Sequence, residues 1–360
     1  MVNSIKHRFH TKVIHSAQNS GKWQGATLPP IFQSASHRHD TAENLSRTFA
    51  GETSDHIYMR LTNPTNNTLE NKMSALENGK GAVVMSSGMA AVSNTCMALL
   101  RTGDEFISGN SLFMSTYILF NNIFKKYGIT ARLVESTDTD AIKKKINDKT
   151  RFIYMETIGN PKMDIPDIEK TAKTAHEYGL PLIIDNTLAT PLLCRPIELG
   201  ANIVIHSTTK YLSGHGNASG GVVIDGGNFN WHEDRFPDFK PFIDRKGDLA
   251  LLDKIWREHH INFGSTQAPF HSYLTMIGID TLALRMERHI SNAMGVADFL
   301  KTREEVSWVN YPGLEGHPSF NTARKQFEEK GFGAMLTFGL KDQDTCFKFI
   351  DNLKMIYHLA

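Results

Sequence analysis

Seven short apolar runs, separated by stretches of helical periodicity, constrain this 360-residue chain more than any other feature. The runs are Ala82–Met85, Glu105–Ser108, Arg132–Val134, Phe152–Met155, Leu182–Ile184, Ile203–Ile205 and Val222–Ile224. Each has strand length, and most are rich in Val and Ile. Apolar residues at successive positions suit strands buried on both faces, as in a parallel sheet covered by helices. Among the intervening helices, Asn66 to Asn78 places Leu69, Met73 and Leu76 on one face and stops at Gly79. Pro166–Tyr178 reads as a crossover helix, with Pro at its start, Gly179 at its end and a stripe of Ile168, Ala172 and Ala175. The pattern predicts one large α/β domain.

The length exceeds what one core usually holds, so a smaller second part is expected. The divisions read from the sequence are an amino-terminal arm over 1–55, a large domain over 56–250 and a smaller α+β domain over 251–360. The arm is polar and weakly periodic; it could be disordered or could order against a partner subunit. Asp225–Lys246, rich in Gly, Pro, Asp and Phe, reads as a connecting loop. Beyond it Leu282, Met286, Ile290, Ala293, Ala297 and Leu300 line one helical face. Trp308–Tyr311 and Ala334–Phe338 read as strands of the smaller domain.

A formal net charge of +1 argues against nucleic acid or a membrane surface as partner. No apolar run approaches the roughly 20 residues needed to cross a bilayer. The start, MVNSIKHRFHTKVIHS, lacks the apolar stretch of a secretory signal. Cys96, Cys194 and Cys346 provide no CxxC pair and no disulfide framework, which fits a cytoplasmic protein. No metal site is expected.

Three polar clusters fall where open α/β sheets bind ligands, at the carboxyl ends of strands. Ser86-Ser87-Gly88-Met89-Ala90-Ala91 follows the first run and opens a helix, so its backbone amides can hold an anion. Taken alone it reads as an ordinary βα turn, and it has neither of the Gly patterns of dinucleotide or triphosphate sites. Asp185-Asn186-Thr187 puts a carboxylate after the fifth run; it could be a base, a metal ligand, a partner for a cationic ring nitrogen or an Asx-turn. His206-Ser207-Thr208-Thr209-Lys210-Tyr211 puts a lysine after the sixth. A desolvated amine there would have a lowered pKa and could form a Schiff base, whereas a snorkelling lysine would not. Together the clusters offer a phosphate nest, an anion for a ring nitrogen and a reactive amine, which is the set that pyridoxal 5′-phosphate (PLP) needs.

In order and spacing these clusters resemble the Cys/Met-metabolism PLP enzyme family, which includes cystathionine γ-synthase, methionine γ-lyase and O-acetylhomoserine sulfhydrylase. The resemblance covers essentially the whole chain. It rests on Tyr58 to Thr65 (YMRLTNPT), Ser86–Ala91, Glu156 to Pro161 (ETIGNP), Asp185–Pro191 (DNTLATP) and Ser207–His215 (STTKYLSGH). Asp225–Trp231, Thr281–Asn292 and Tyr311 to Leu314 look most like the O-acetylhomoserine sulfhydrylase branch. The resemblance implies a type I aminotransferase fold. It implies that Lys210 carries the cofactor as a Schiff base and that Asp185 pairs with the pyridine nitrogen. Gly88, Met89, Ser207 and Thr209 would hold the phosphate, with Tyr58 and Arg60 reaching it from a neighbouring subunit. Asn160 would lie near the ring hydroxyl, and Glu156 would support the site. A homo-oligomer of at least two subunits, usually a tetramer, follows. The implied reaction, in methionine and cysteine metabolism, is γ-replacement on an O-acylhomoserine by sulfide or a thiol. The alternatives are γ-synthase or γ-lyase activity on the same scaffold.

The chain departs from the family twice. The Tyr that commonly stacks over the cofactor is replaced by Phe113, in Phe113-Met114-Ser115-Thr116. Phe still stacks but cannot donate a proton. That favours a substrate whose leaving group needs no acid, such as acetate. Tyr117, one helical turn later, could substitute but is expected to pack in the core. The second departure is the end at Leu359-Ala360, before the carboxyl-terminal Arg that clamps the substrate carboxylate in the family. From this we expect a truncated smaller domain with an exposed sheet edge, and PLP binding with little turnover if the chain is complete.

Overall fold

The computed structural model of the chain describes residues 8–17, 23–232, 234–328 and 330–359. Parts of the amino-terminal arm, with the start of the sequence and Ala360, therefore lie outside the described residues.

All seven apolar runs are strands: β1 Gly81–Met85, β2 Glu105–Gly109, β3 Thr130–Val134, β4 Thr150–Glu156, β5 Leu182–Asp185, β6 Ile203–Ser207 and β7 Gly221–Asp225. They form one sheet in the order β1-β7-β6-β5-β4-β2-β3. Every pairing is parallel except those of β7, which runs antiparallel to both β1 and β6. The two-sided burial that made these runs continuous is present in the inner strands, whereas the edge strand β3 leaves Thr130 and Arg132 exposed. Ile184, Val204, Val222 and Ile224 pack in one core with Leu69, Met73 and Leu76 of the helix Pro64–Glu77. Ile183, Ile203, Ile205 and Val223 pack in the other, against Phe106, Phe120, Trp231 and Phe239. Each such fully buried side chain contributes about 1.5–3 kcal/mol of transfer free energy.

The helix Pro64–Glu77 starts at Asn63, whose side chain accepts from the amides of Thr65 and Asn66, and ends at Asn78 in the left-handed region. The crossover helix runs Ile168–Glu177, capped by Asp167. The long carboxyl-terminal stripe is the helix Leu282–Lys301. Trp308–Asn310 and Thr337–Gly339 pair antiparallel in a separate two-stranded sheet.

Two expectations need correction. The stretch read as a connecting loop contains a buried aromatic cluster. Trp231 stacks on Phe239 with ring centroids 4.4 Å apart, Phe236 packs on both edge-on, and the helix Lys240–Lys246 follows. Its Gly, Pro and Asp residues make the turns, but its aromatics are core. In the amino-terminal arm the helix Phe9–His15 packs on this chain's own helices Pro64–Glu77 and Leu282–Lys301, with Val13 buried.

Candidate active site

The carboxyl ends of β4, β5 and β6 and the start of the helix Gly88–Leu99 converge on one side of the sheet. Ser207 of β6 pairs in register with Gly221 of β7, which pairs with Met85 of β1, so the three strand ends bring Ser207 beside the Ser86–Gly88 turn. The approach is close. A Cβ on Gly88 would lie 2.6 Å from Ser207 Cβ, and one on Gly221 would lie 2.1 Å from the Ser87 carbonyl oxygen. Only glycine fits at either position. Ser87 caps the helix by accepting from the Ala90 amide, leaving the first amides, of Gly88 and Met89, for an anion.

Asp185 ends β5. It accepts hydrogen bonds from the Thr187 amide (3.0 Å) and the Tyr154 hydroxyl (3.3 Å), and among the described residues no Lys or Arg pairs with it. Burial raises its pKa, and the Thr187 bonds work against that rise. Thr187 also accepts from the Ser207 amide at 2.8 Å, which ties the ends of β5 and β6 together.

Glu156 ends β4 in register with Asp185. It is buried and accepts from the Phe113 amide at 2.7 Å. Burial, and then the negative charges of Asp185 and Asp164, push its pKa well above the usual carboxylate range, while the Phe113 bond works against that rise. That bond fixes the backbone of Phe113, whose ring is 42% exposed at the mouth of the site. Tyr117 is 43% exposed, not in the core as expected, because the helix Met114–Ile118 turns that face outward and buries Thr116 instead. Asn160 follows in the same loop and is joined to Pro161 by a cis peptide.

Lys210 does not end the strand. Strand β6 stops at Ser207, and Lys210 lies in the turn beyond it, exposed in the single chain. The desolvation expected for its amine is therefore not supplied by this chain alone. The turn itself is held firmly: the Arg285 guanidinium donates to the Tyr211 and Gly278 carbonyls at 2.9 and 2.6 Å. Thr209 is beside it, its hydroxyl accepting from the Gly220 amide (3.0 Å) and donating to the Gly220 carbonyl across a longer 3.3 Å. Tyr58 and Arg60 lie apart from this cluster on an exposed loop, where the Arg60 guanidinium stacks over the Tyr58 ring at 5.5 Å.

A family model described as Cys/Met metabolism PLP-dependent enzyme matches residues 10–360. The chain belongs to that family. It is 37% identical to the O-acetyl-L-homoserine sulfhydrylase of Leptospira meyeri, with 97% of this chain and 83% of the relative covered. It is also 37% identical to the L-methionine gamma-lyase of Pseudomonas putida, over 92% of this chain and 78% of that one. Among solved structures it resembles an O-acetylhomoserine (thiol)-lyase of Campylobacter jejuni that carries a pyridoxyl-lysine monophosphate. The TM-score is 0.93 at 29% identity, covering 99% of this chain and 90% of the other.

PLP, the family's cofactor, fits the groups present. A carboxylate without a cationic partner suits a protonated ring nitrogen. A helix start crowded against Ser207 by two obligatory glycines suits a phosphate. Three supporting residues escape a reading of the sequence. Tyr154 looks like an apolar strand residue, but its hydroxyl meets a carboxylate 31 positions away. Thr187 and Arg285 stand in recognisable motifs, yet nothing local says which backbone groups they bind.

Proposed function

We propose that the chain catalyses γ-replacement on O-acetyl-L-homoserine, in which sulfide or a thiol displaces acetate to give homocysteine or methionine. Phe113 carries this reading against the other reactions of the family. Glu156 holds its backbone at the site's mouth, and its ring has no proton to give a departing group. A thiolate is a poor leaving group without an acid, whereas acetate departs readily. The similarity to an O-acetyl-L-homoserine sulfhydrylase supports the same substrate.

PLP, when bound, supplies a ring that accepts electron density from the substrate's α-carbon. In this reading the Lys210 amine would hold the cofactor and would carry protons from the substrate's α- and β-carbons. Asp185 keeps the ring nitrogen protonated, with Tyr154 and Thr187 orienting its oxygens. The Gly88 and Met89 amides and the Ser207 and Thr209 hydroxyls bind the phosphate. The long Thr209–Gly220 bond yields to a charge-assisted one. Asn160 would serve the ring hydroxyl, and Phe113 would offer a ring for stacking. Tyr58 and Arg60 reach the phosphate of a second copy, so the working unit is at least a dimer, and a tetramer by family pattern. The exposure of Lys210, Tyr58 and Phe113 in one chain agrees with a site finished by another. Three cysteines, all unpaired, agree with a cytoplasmic protein.

The identity shared with a methionine gamma-lyase favours γ-elimination as the second reading. Product analysis separates the two. The holoenzyme is given O-acetyl-L-homoserine with sulfide, the same substrate with cysteine, and L-methionine alone. Homocysteine from the first is expected. Cystathionine from the second, or 2-oxobutanoate from the third, as the dominant product overturns the assignment.

A further inference from the structure

The loop carrying Tyr58 and Arg60 is exposed. Its start pairs with residues 35–37, the Met59 amide donating to the Ala35 carbonyl and the His37 amide to the Ile57 carbonyl at 2.8 Å each, and its end is tied at three points to one other segment. The Trp256 indole donates to the Leu61 carbonyl at 2.8 Å. The Arg60 guanidinium donates to the Ile261 carbonyl at 2.5 Å. The Thr266 hydroxyl donates to the Arg60 carbonyl at 3.0 Å. Trp256 lies within a π-helical turn, Ile255–His260, and Ile261 directly follows it; the turn sits between the helices Ala250–Lys254 and Ile261–Phe263. Wide turns of this kind are costly and collect at functional sites.

The same segment has a second attachment. After the turn, the Ser265 amide donates to the His260 carbonyl at 3.0 Å, and the Ser265 carbonyl accepts from the Ser86 amide at 2.8 Å. The helix Gly88–Leu99 packs along the π-helical turn. Residues 255–266 thus join this chain's own Ser86–Gly88 turn to its Tyr58–Leu61 loop. Three side-chain-to-backbone bonds and a continuous backbone make the connection.

We propose that Trp256 is a positioning residue for the Tyr58–Arg60 loop, and that residues 255–266 couple one subunit's phosphate turn to the loop it offers the next subunit. This rests on the reading above that the loop acts in a neighbouring copy. Trp256 touches no reacting atom. Its indole N–H stops the loop from swinging at Leu61, which leaves the Tyr58 ring and the Arg60 guanidinium presented together. Thr266 performs the same task one residue earlier.

Hybrid dimers test it. Two differently tagged copies are co-expressed, one bearing Lys210→Ala, so that only the other copy can give a borohydride-fixed cofactor adduct. Cofactor affinity is read from that adduct by mass spectrometry of the tagged chain. Trp256→Phe keeps the packing ring and removes the donor; Thr266→Val does the same for the second bond. Placed in the Lys210→Ala copy, each should weaken cofactor binding at the other copy's Lys210 by about threefold to tenfold. Placed in the adduct-forming copy, each should leave that site unchanged. A general loss of folding would lower both arms alike, so the asymmetry is the diagnostic. Arg60→Ala, run in the same two arms, tests the underlying reading separately. If Arg60→Ala acts in its own chain, the two-subunit site fails, and Trp256→Phe acting in that same arm leaves its positioning role standing. Cofactor affinity unchanged by Trp256→Phe in both arms overturns the inference whatever Arg60 does.

Discussion

The value of Glu156 to the site is the hydrogen bond it accepts from the Phe113 amide. Glu156→Gln keeps a carbonyl oxygen in that place and should leave cofactor binding within about twofold. Glu156→Ala strands the Phe113 amide and should cost about 1–3 kcal/mol in stability, measured by urea unfolding. Because burial raises this carboxyl's pKa, its contribution to stability is present at acid pH and is lost as pH rises through the raised value. Phe113 makes a second residue-level prediction. Phe113→Tyr should change kcat/KM on O-acetyl-L-homoserine by less than about threefold, since acetate needs no acid. It should raise methionine elimination by about a hundredfold, the lower end of general-acid effects. A large gain on the acetyl substrate would remove the leaving-group argument.

At the scale of elements, the site depends on how closely the helix Gly88–Leu99 approaches the end of β6. Gly88→Ala must push Ser207 aside, since the new methyl would meet its Cβ at 2.6 Å. The expected cost is about 1–3 kcal/mol, as for other overpacked positions, with weakened cofactor binding by absorbance titration. The edge strand that leads into the Ser86–Gly88 turn, β1, carries a pH-dependent clamp. Glu70, on the helix Pro64–Glu77, accepts from the Val84 amide of β1 at 3.0 Å, and burial raises its pKa to about 7. A raised carboxyl pKa means the folded state holds a proton the unfolded chain releases. The clamp's contribution is therefore full below about pH 4.5 and is lost as pH rises through 7. Glu70→Gln should flatten the fall in stability between pH 5 and 8 by on the order of 1–3 kcal/mol, read from urea midpoints of the cofactor-free protein. Asp225, at the end of β7 with a pKa also raised to about 7, would still titrate in that variant.

For the whole molecule, the proposed completion of each site by a second subunit would make cofactor binding and assembly linked equilibria. Cofactor at one hundred times its Kd should add about 2.7 kcal/mol to unfolding free energy. Where two subunits complete each site, Tm should also rise with protein concentration. A Tm independent of concentration over a hundredfold range, in holoprotein that binds cofactor fully, would indicate sites complete within one chain.

The seven strands were legible because burial leaves a local mark: two to four apolar residues in succession, with turn residues on either side. The helices were legible from their stripes and caps, and the site's main groups from where they fall after strands. What lay outside reach was contact between distant segments. Nothing near Trp231 says that its ring lies flat on Phe239, so a stretch of core reads as a loop. Nothing near Lys210 says that its turn stands clear of the sheet, because exposure depends on what packs over a residue. Tyr154 on Asp185, Arg285 on the lysine turn and Trp256 on Leu61 span 31 to 195 positions. Local sequence thus determined which segments are strand or helix and which residues have the chemistry for PLP, since both follow from side-chain type and period. Only the tertiary structure decided which backbone groups those side chains hold, since such bonds exist only once folding has brought separate strand ends within 3 Å.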